Sequence, residues 1–285
     1  MCFDCYNSVD VDVDVDVDVI KKSLPEKKRF CFGCYNNFTN KYKFISKIHD
    51  TVLSKIYLVE DKKTGNEFIC KRIPKKNFRL EEITIPKILK SEKIVNICEV
   101  YTKKTLLGDL YYYVLMKYHK NSYDLFDYFK SKIPDENILK KIVKEMAICM
   151  KVCHDKNITH MDIKAENFVV ICENPIKLIL IDFGGSQFSS SGKIKKNHYT
   201  IMYSPPEFMF GKFSVKSDIW SLGIVIYYMY TGKEFIHSHN SINWDKNFEC
   251  REFSVLFKNF LFKLINLNPT MRYNIDEILN HPWLH

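Results

Sequence analysis

The stretch Thr159-His160-Met161-Asp162-Ile163-Lys164-Ala165-Glu166-Asn167-Phe168-Val169-Val170 constrains this chain more than any other. Asp162 is followed two residues on by Lys164 and five on by Asn167, and the polar run then turns into an apolar strand. Downstream, Ile179-Leu180-Ile181-Asp182-Phe183-Gly184 reads as a second apolar strand ending on an acid. Single Asp or Asn residues in loops are ordinarily turn formers. Asp162, Lys164, Asn167 and Asp182 at these spacings, between apolar strands, instead read as polar groups delivered to one point. Such a group suits phosphoryl transfer, which needs a carboxylate to orient a hydroxyl and hard oxygen ligands for magnesium.

The two segments resemble the catalytic loop and the metal-binding Asp-Phe-Gly of eukaryotic-type Ser/Thr protein kinases. The resemblance implies an α+β, bilobal protein-kinase-like fold. A small antiparallel β lobe with one helix would span 41–118, and a large, mainly helical lobe 119–285. It implies Asp162 and Lys164 as catalytic residues, with Asn167 and Asp182 as ligands of Mg2+ or, alternatively, Mn2+. His160 reads as a packed structural histidine. Lys164 and Thr200 resemble the Ser/Thr rather than the tyrosine kinases, which implies a protein substrate with a Ser or Thr acceptor and ATP as donor.

The resemblance continues in order along the chain. Alternation from Tyr42 to Ile48, a second strand Lys55–Val59, a turn at Lys63–Asn66 and a return through Glu67–Lys71 read as a hairpin plus a third strand. Lys71 then falls where the family's strand Lys meets the nucleotide phosphates, and Ile48 and Ile56 where strands flank the nucleotide. Glu82, with Glu81 as the alternative, is the helix acid expected to pair with Lys71. Pro86 removes a donor inside that helix, so the helix is expected to be kinked or short. Tyr111–Tyr118 reads as a buried strand, with Met116 and Tyr118 implied beside the adenine.

In the second lobe, Asn137–Lys156 has helical periodicity. Thr200 through Glu207 resembles the end of an activation segment, and Glu207 is expected to pair with Arg272. Asp218 opens an apolar helix and is implied to brace the catalytic-loop backbone. Asp124 and Glu166 match positions that receive a substrate arginine in basophilic kinases, or are two solvated acids.

Two departures shape the expectations. His49-Asp50-Thr51-Val52-Leu53-Ser54 holds no glycine where the family has a glycine-rich loop. This favours the second reading of the chain, a pseudokinase or scaffold that binds nucleotide weakly or not at all. Met161 stands where most members carry Arg, the cation that grips a phosphate on the activation segment. Activity is therefore expected without phosphorylation of that segment, including Ser189–Ser191.

Residues 1–40 read as a low-complexity tail. Strict Val-Asp alternation from Val9 to Val19 would stack aspartates on one face of a strand. Cys2, Cys5, Cys31 and Cys34 form two Cys-x-x-Cys pairs, which leave open a zinc site or an unliganded duplicated segment. With zinc and a net charge of +9, a nucleic-acid binder is a third class of reading. The lysines are scattered rather than clustered, so no nucleic-acid partner is expected. No apolar run is long enough to span a bilayer, no secretory pattern precedes the fold, and ten cysteines fit a reducing compartment. The expectation is a cytoplasmic monomer, in host cytoplasm for a viral chain.

Overall fold

The structure, a computed structural model, describes residues 33–130, 134–191, 194, 199–238, 240–250 and 252–285. Cys2, Cys5, Cys31 and the Val-Asp repeat lie outside the described residues. The chain divides into two compact units. One holds the described residues up to Lys90 together with Asn96–Tyr118, and the other holds Ser91–Val95 with His119–His285. Strands dominate the first and helices the second, as the sequence implied.

The first unit is one twisted sheet. Its strands are β1 (Gly33–Cys34), β2 (Tyr42–Asp50), β3 (Lys55–Asp61), β4 (Glu67–Pro74), β5 (Ile97–Lys104) and β6 (Leu110–Lys117), in the order β1-β5-β6-β4-β3-β2. The long strands pair antiparallel, and β1 alone adds in parallel at the β5 edge. Helix α1 (Tyr35–Lys41) connects β1 to β2. This helix lies largely within the stretch read from sequence as a tail, and it packs against the sheet. Phe38 is fully buried and its ring lies within 5.4–5.5 Å of those of Tyr35, Tyr42, Phe44, Tyr101 and Tyr113. Its aromatic neighbours come from three separate strands, so their convergence is a tertiary property with no local signature. Edge and offset ring contacts are worth about 0.5–1.5 kcal/mol beyond area burial. Phe38→Leu should therefore cost about 1 kcal/mol, read as a lower urea midpoint. An unchanged midpoint would show that the segment is dispensable to the unit.

Helix α2 (Glu81–Leu89) is nine residues long and contains Pro86, as expected for a short helix. It stops at Lys90, whose left-handed backbone returns its N–H to the Pro86 carbonyl at 3.1 Å.

In the second unit, α3 (Glu136–His154) buries Leu139, Ile142, Val143, Met146 and Met150 on one face, a helical spacing. Asp135 caps its first turn by accepting from the Ile138 N–H at 2.8 Å. Helix α4 (Val215–Thr231) is buried along most of its length and opens on a Ser214/Ser217 capping box. Gly223 lets it meet the end of α5 (Val255–Leu264): a β-carbon there would sit 2.5 Å from a side-chain carbon of Ile265. None of the described helices is long and apolar enough to cross a membrane.

His281 caps the closing turn of this unit. Its Nδ1 accepts from the Trp283 N–H at 3.1 Å, and its Nε2 faces the Asn259 amide oxygen at 3.0 Å. Burial first, and then Lys263, hold its pKa below the ordinary value. The neutral ring fits here, because a proton on Nδ1 would oppose the Trp283 N–H. A folded-state pKa below the unfolded one makes the unfolded chain bind the proton first. Stability is then full above about pH 6.5 and falls as the pH drops through that value toward the folded pKa. His281→Asn keeps an acceptor but does not titrate, so it should flatten the decline of Tm between about pH 7.5 and 5. An equal slope in both proteins would remove His281 from the acid sensitivity.

Candidate active site

Five short strands gather the catalytic-loop residues. Strands β7 (Tyr123–Asp124), β9 (Phe168–Glu173) and β10 (Ile176–Leu180) form one sheet, and β8 (Ile158–Thr159) pairs with β11 (Gln187–Phe188). Antiparallel pairing sets Leu180 opposite Phe168, so the residues before β9 and those after β10 emerge at the same end. Backbone bonds complete the closure: Ile181 donates to the Asn167 carbonyl at 2.9 Å. The His160 Nε2 meets the Ile181 carbonyl at 3.0 Å. His160 is fully buried against the Phe183 ring, in agreement with a structural role.

Asp162 sits at the centre of a polar network. Its Oδ1 accepts from the Thr200 hydroxyl at 2.7 Å and the Thr200 N–H at 3.1 Å. Its Oδ2 faces the Lys164 ammonium at 2.8 Å and accepts from the Asn167 amide at 3.2 Å. Lys164 also donates to the Thr200 hydroxyl at 3.1 Å. Asn167 donates a second bond to the Asp162 carbonyl at 2.7 Å. Its amide nitrogen is thereby turned inward, which leaves the amide oxygen as the side's donor to a cation. Asp182 adopts a left-handed backbone, φ 60° and ψ 74°, a conformation that Asp tolerates better than most residues. An amide oxygen and a carboxylate are hard donors, and they fit magnesium or manganese better than zinc.

The loop is braced from below by Asp218 near the start of α4. This buried carboxylate accepts from the His160 N–H at 2.8 Å, the Met161 N–H at 3.0 Å and the His154 Nε2 at 3.0 Å. Met161 has φ +73°, a conformation that costs an L-residue roughly 1–2 kcal/mol. The bond from its N–H to Asp218 helps to hold it there. His154 is a partner that the sequence reading missed; its place at the end of α3 carried no motif.

In the first unit, Lys71 and Glu82 form an ion pair whose side chains are 14% and 9% exposed. Of the two helix acids weighed, Glu82 is therefore the one brought to Lys71. Lys71 lies between Ile56 and Val114 across the sheet, and Ile69 opposite Met116. Directly opposed residues share a face, and so do residues two apart along a strand. Ile56, Lys71 and Met116 thus share one face, while Cys70 turns to the aromatic cluster on the other. Burial pushes the Cys70 thiol up to about 12, an inert packing group. Ile48 falls at a register irregularity of β2, between Lys47 opposite Tyr57 and His49 opposite Ile56, and is about half exposed. Tyr118 follows β6 and is half-buried.

The glycine-free hairpin closes without strain. None of residues 49–54 has a positive φ, so the turn needs no glycine. Thr51 donates its N–H to the Ser54 carbonyl at 3.0 Å, and its hydroxyl both donates to that carbonyl and accepts from the Ser54 N–H. Asp50 pairs with Lys47 at 2.8 Å and Lys55 at 3.1 Å. Asn77 reaches over to the Leu53 carbonyl at 3.0 Å, a contact the sequence did not signal.

Glu207 and Arg272 meet in a two-pronged pair at 2.7 and 2.8 Å. Asp124 accepts from the Asp127 N–H at 2.8 Å and caps a short helix, and Glu166 is half-buried. Cys34 lies on β1, and Cys2, Cys5 and Cys31 are outside the described residues.

Comparison with known proteins adds to this geometry. The pattern of a protein kinase domain matches residues 42–284. "Calcium-dependent protein kinase 4" of Plasmodium berghei is 25% identical over 269 residues, covering 87% of this chain and 50% of that protein. "Sperm motility kinase 2B" of Mus musculus is 26% identical over 263 residues, covering 87% and 52%. The human "SNF-related serine/threonine-protein kinase" is 27% identical over 215 residues, covering 72% and 27%. The chain thus spans about half or less of the length of these relatives.

Proposed function

Because this chain belongs to the protein kinase family, with its bilobal α+β fold, we propose that it transfers the γ-phosphate of ATP to Ser and Thr hydroxyls of protein substrates. The observation that carries this reading is the network in which Asp162 is held by Lys164, Asn167 and Thr200. The Asp162 carboxylate is the group that would orient an incoming hydroxyl and take its proton. Lys164 would balance charge on the transferring group, and Lys71, steadied by Glu82, would bind phosphate oxygens. The Asn167 amide oxygen and the Asp182 carboxylate would hold magnesium, which when bound neutralises phosphate charge. Thr200 beside Asp162 and Lys164 favours the Ser/Thr class, as does the name of the human relative.

The second reading, a pseudokinase, rested on the missing glycines. A hairpin that closes on Thr51 and Ser54 without positive φ weakens that reading. The test is transfer of labelled γ-phosphate to a mixed Ser/Thr/Tyr peptide pool with magnesium, followed by phosphoamino-acid analysis. Label on Ser and Thr that disappears with chelator is expected. Label on Tyr alone, or no label above an Asp162→Asn control, would overturn the proposal.

A further inference from the structure

We propose that Tyr199 is a positioning residue: packed with Ile194 on a floor of Met161, Phe208 and Phe213, it holds Thr200 on Asp162 without a phosphate. The inference rests on the phosphotransfer reading and adds how that site is kept assembled.

The floor is apolar and closed. Met161, Phe208 and Phe213 are 4%, 6% and 5% exposed and form one cluster, against which Ile194 and Tyr199 pack. The Tyr199 ring meets the Phe208 ring nearly edge-on, with centroids 4.8 Å apart. Ile194 is tied by its N–H to the Gly211 carbonyl at 2.9 Å. Thr200 follows Tyr199 directly and makes its two bonds to Asp162, while its carbonyl accepts from the Ser204 hydroxyl at 2.9 Å. The polar contacts of Thr200 set its direction, and the apolar anchor one residue earlier sets its place.

The backbone of Met161 joins this floor to the catalytic loop. Asp162 follows it directly, and Asp218 holds the Met161 N–H from beneath. The side chain that forms the floor is thus one residue from the carboxylate that receives Thr200. A methionine thioether fills irregular apolar space well, whereas an unpaired charge placed there would be costly. The contact therefore needs no covalent modification of the segment to form.

The experiment compares wild type, Tyr199→Ala, Tyr199→Phe and Met161→Arg, each checked for an unchanged first unit by thermal unfolding. Two readouts are taken: steady-state kinetics with a phosphorylatable peptide, and hydrogen exchange at the Thr200 amide, which needs no activity. Tyr199→Ala should lower kcat/KM for the peptide about tenfold, leave the KM for ATP within twofold, and speed Thr200 exchange about tenfold. Tyr199→Phe keeps the ring and should stay within twofold in both, and Met161→Arg should behave like Tyr199→Ala. Phosphatase-treated wild type should retain its rate. Wild-type exchange and kinetics in Tyr199→Ala would overturn the inference, as would a phosphatase-treated enzyme that has lost both activity and Thr200 protection. Fast Thr200 exchange in Tyr199→Ala, with a wild type that transfers no phosphate, would overturn the catalytic reading instead and leave the clasp standing.

Discussion

Asp162→Asn should reduce phosphotransfer by about 10²–10⁴-fold, the range supplied by a positioned general base. The geometry makes the effect twofold in origin. The carboxylate now presents acceptors in both directions, to Thr200 from Oδ1 and to Lys164 and Asn167 from Oδ2. An amide must turn its NH2 either toward the Lys164 ammonium or toward the Thr200 N–H. Both are donors, so one contact is lost whichever way it turns, and the proton acceptor is lost as well. The measurement is kcat with saturating peptide, beside binding of a fluorescent nucleotide and a thermal melt. Nucleotide binding and Tm should stay close to wild type, because the exchanged atoms are of equal size and the site is partly solvated. Equal rates in the two proteins would mean that the observed transfer belongs to a contaminant.

The largest loss of stability is expected from Arg272→Met. Arg272 is 1% exposed, and every one of its polar contacts is internal. Two nitrogens grip the Glu207 carboxylate, Nε donates to the Asn266 carbonyl at 2.8 Å, and one terminal nitrogen also donates to the Lys216 carbonyl at 2.9 Å. Its guanidinium lies over the buried Trp220 ring at 5.0 Å. Removing it leaves Glu207 with the Ser217 hydroxyl and two carbonyls with their donor gone. Breaking one side of a buried pair costs about 3–5 kcal/mol. For a unit of this size, each kcal/mol lowers Tm by roughly 2–4 °C, so a drop of about 10 °C follows. The double variant Glu207→Gln/Arg272→Met no longer buries a lone carboxylate and should recover part of that loss. A single variant that melts with the wild type would show that the pair contributes nothing net.

The two results separate chemistry from scaffold. Asp162 lies on a loop and is partly solvated, so its exchange should spare the fold. Arg272 instead ties the start of α4 to the segment carrying Glu207, through the Lys216 carbonyl and the Glu207 carboxylate. Its loss should therefore reach activity only through stability. Rates normalised to the folded fraction would test this.

Much of the site was legible in the chain order of residues, and the reason is local. A strand that begins after Asn167 and another that ends before Asp182 need only pair antiparallel to bring those groups together, as Leu180 opposite Phe168 does. Alternation and spacing record that pairing because strand geometry has a period of two. The sequence put Glu82 ahead of Glu81 by its register, but the contact itself depends on how α2 is rotated toward Lys71. The packing of α1 was not legible either, because Phe38 is buried by rings from β2, β5 and β6, which are distant in sequence.

Sequence alone thus determined the family, the order of the elements and the placing of Lys164 and Asn167 in one loop with Asp162. The tertiary structure decided how that set is held. The left-handed backbone of Met161 is braced by a carboxylate 57 residues away, and its side chain is buried by Phe208 and Phe213. The glycine-free hairpin is tied by Asn77, 24 residues beyond Leu53. Spacing encodes what neighbours along a strand or helix can do, whereas these contacts exist only once separate elements have packed.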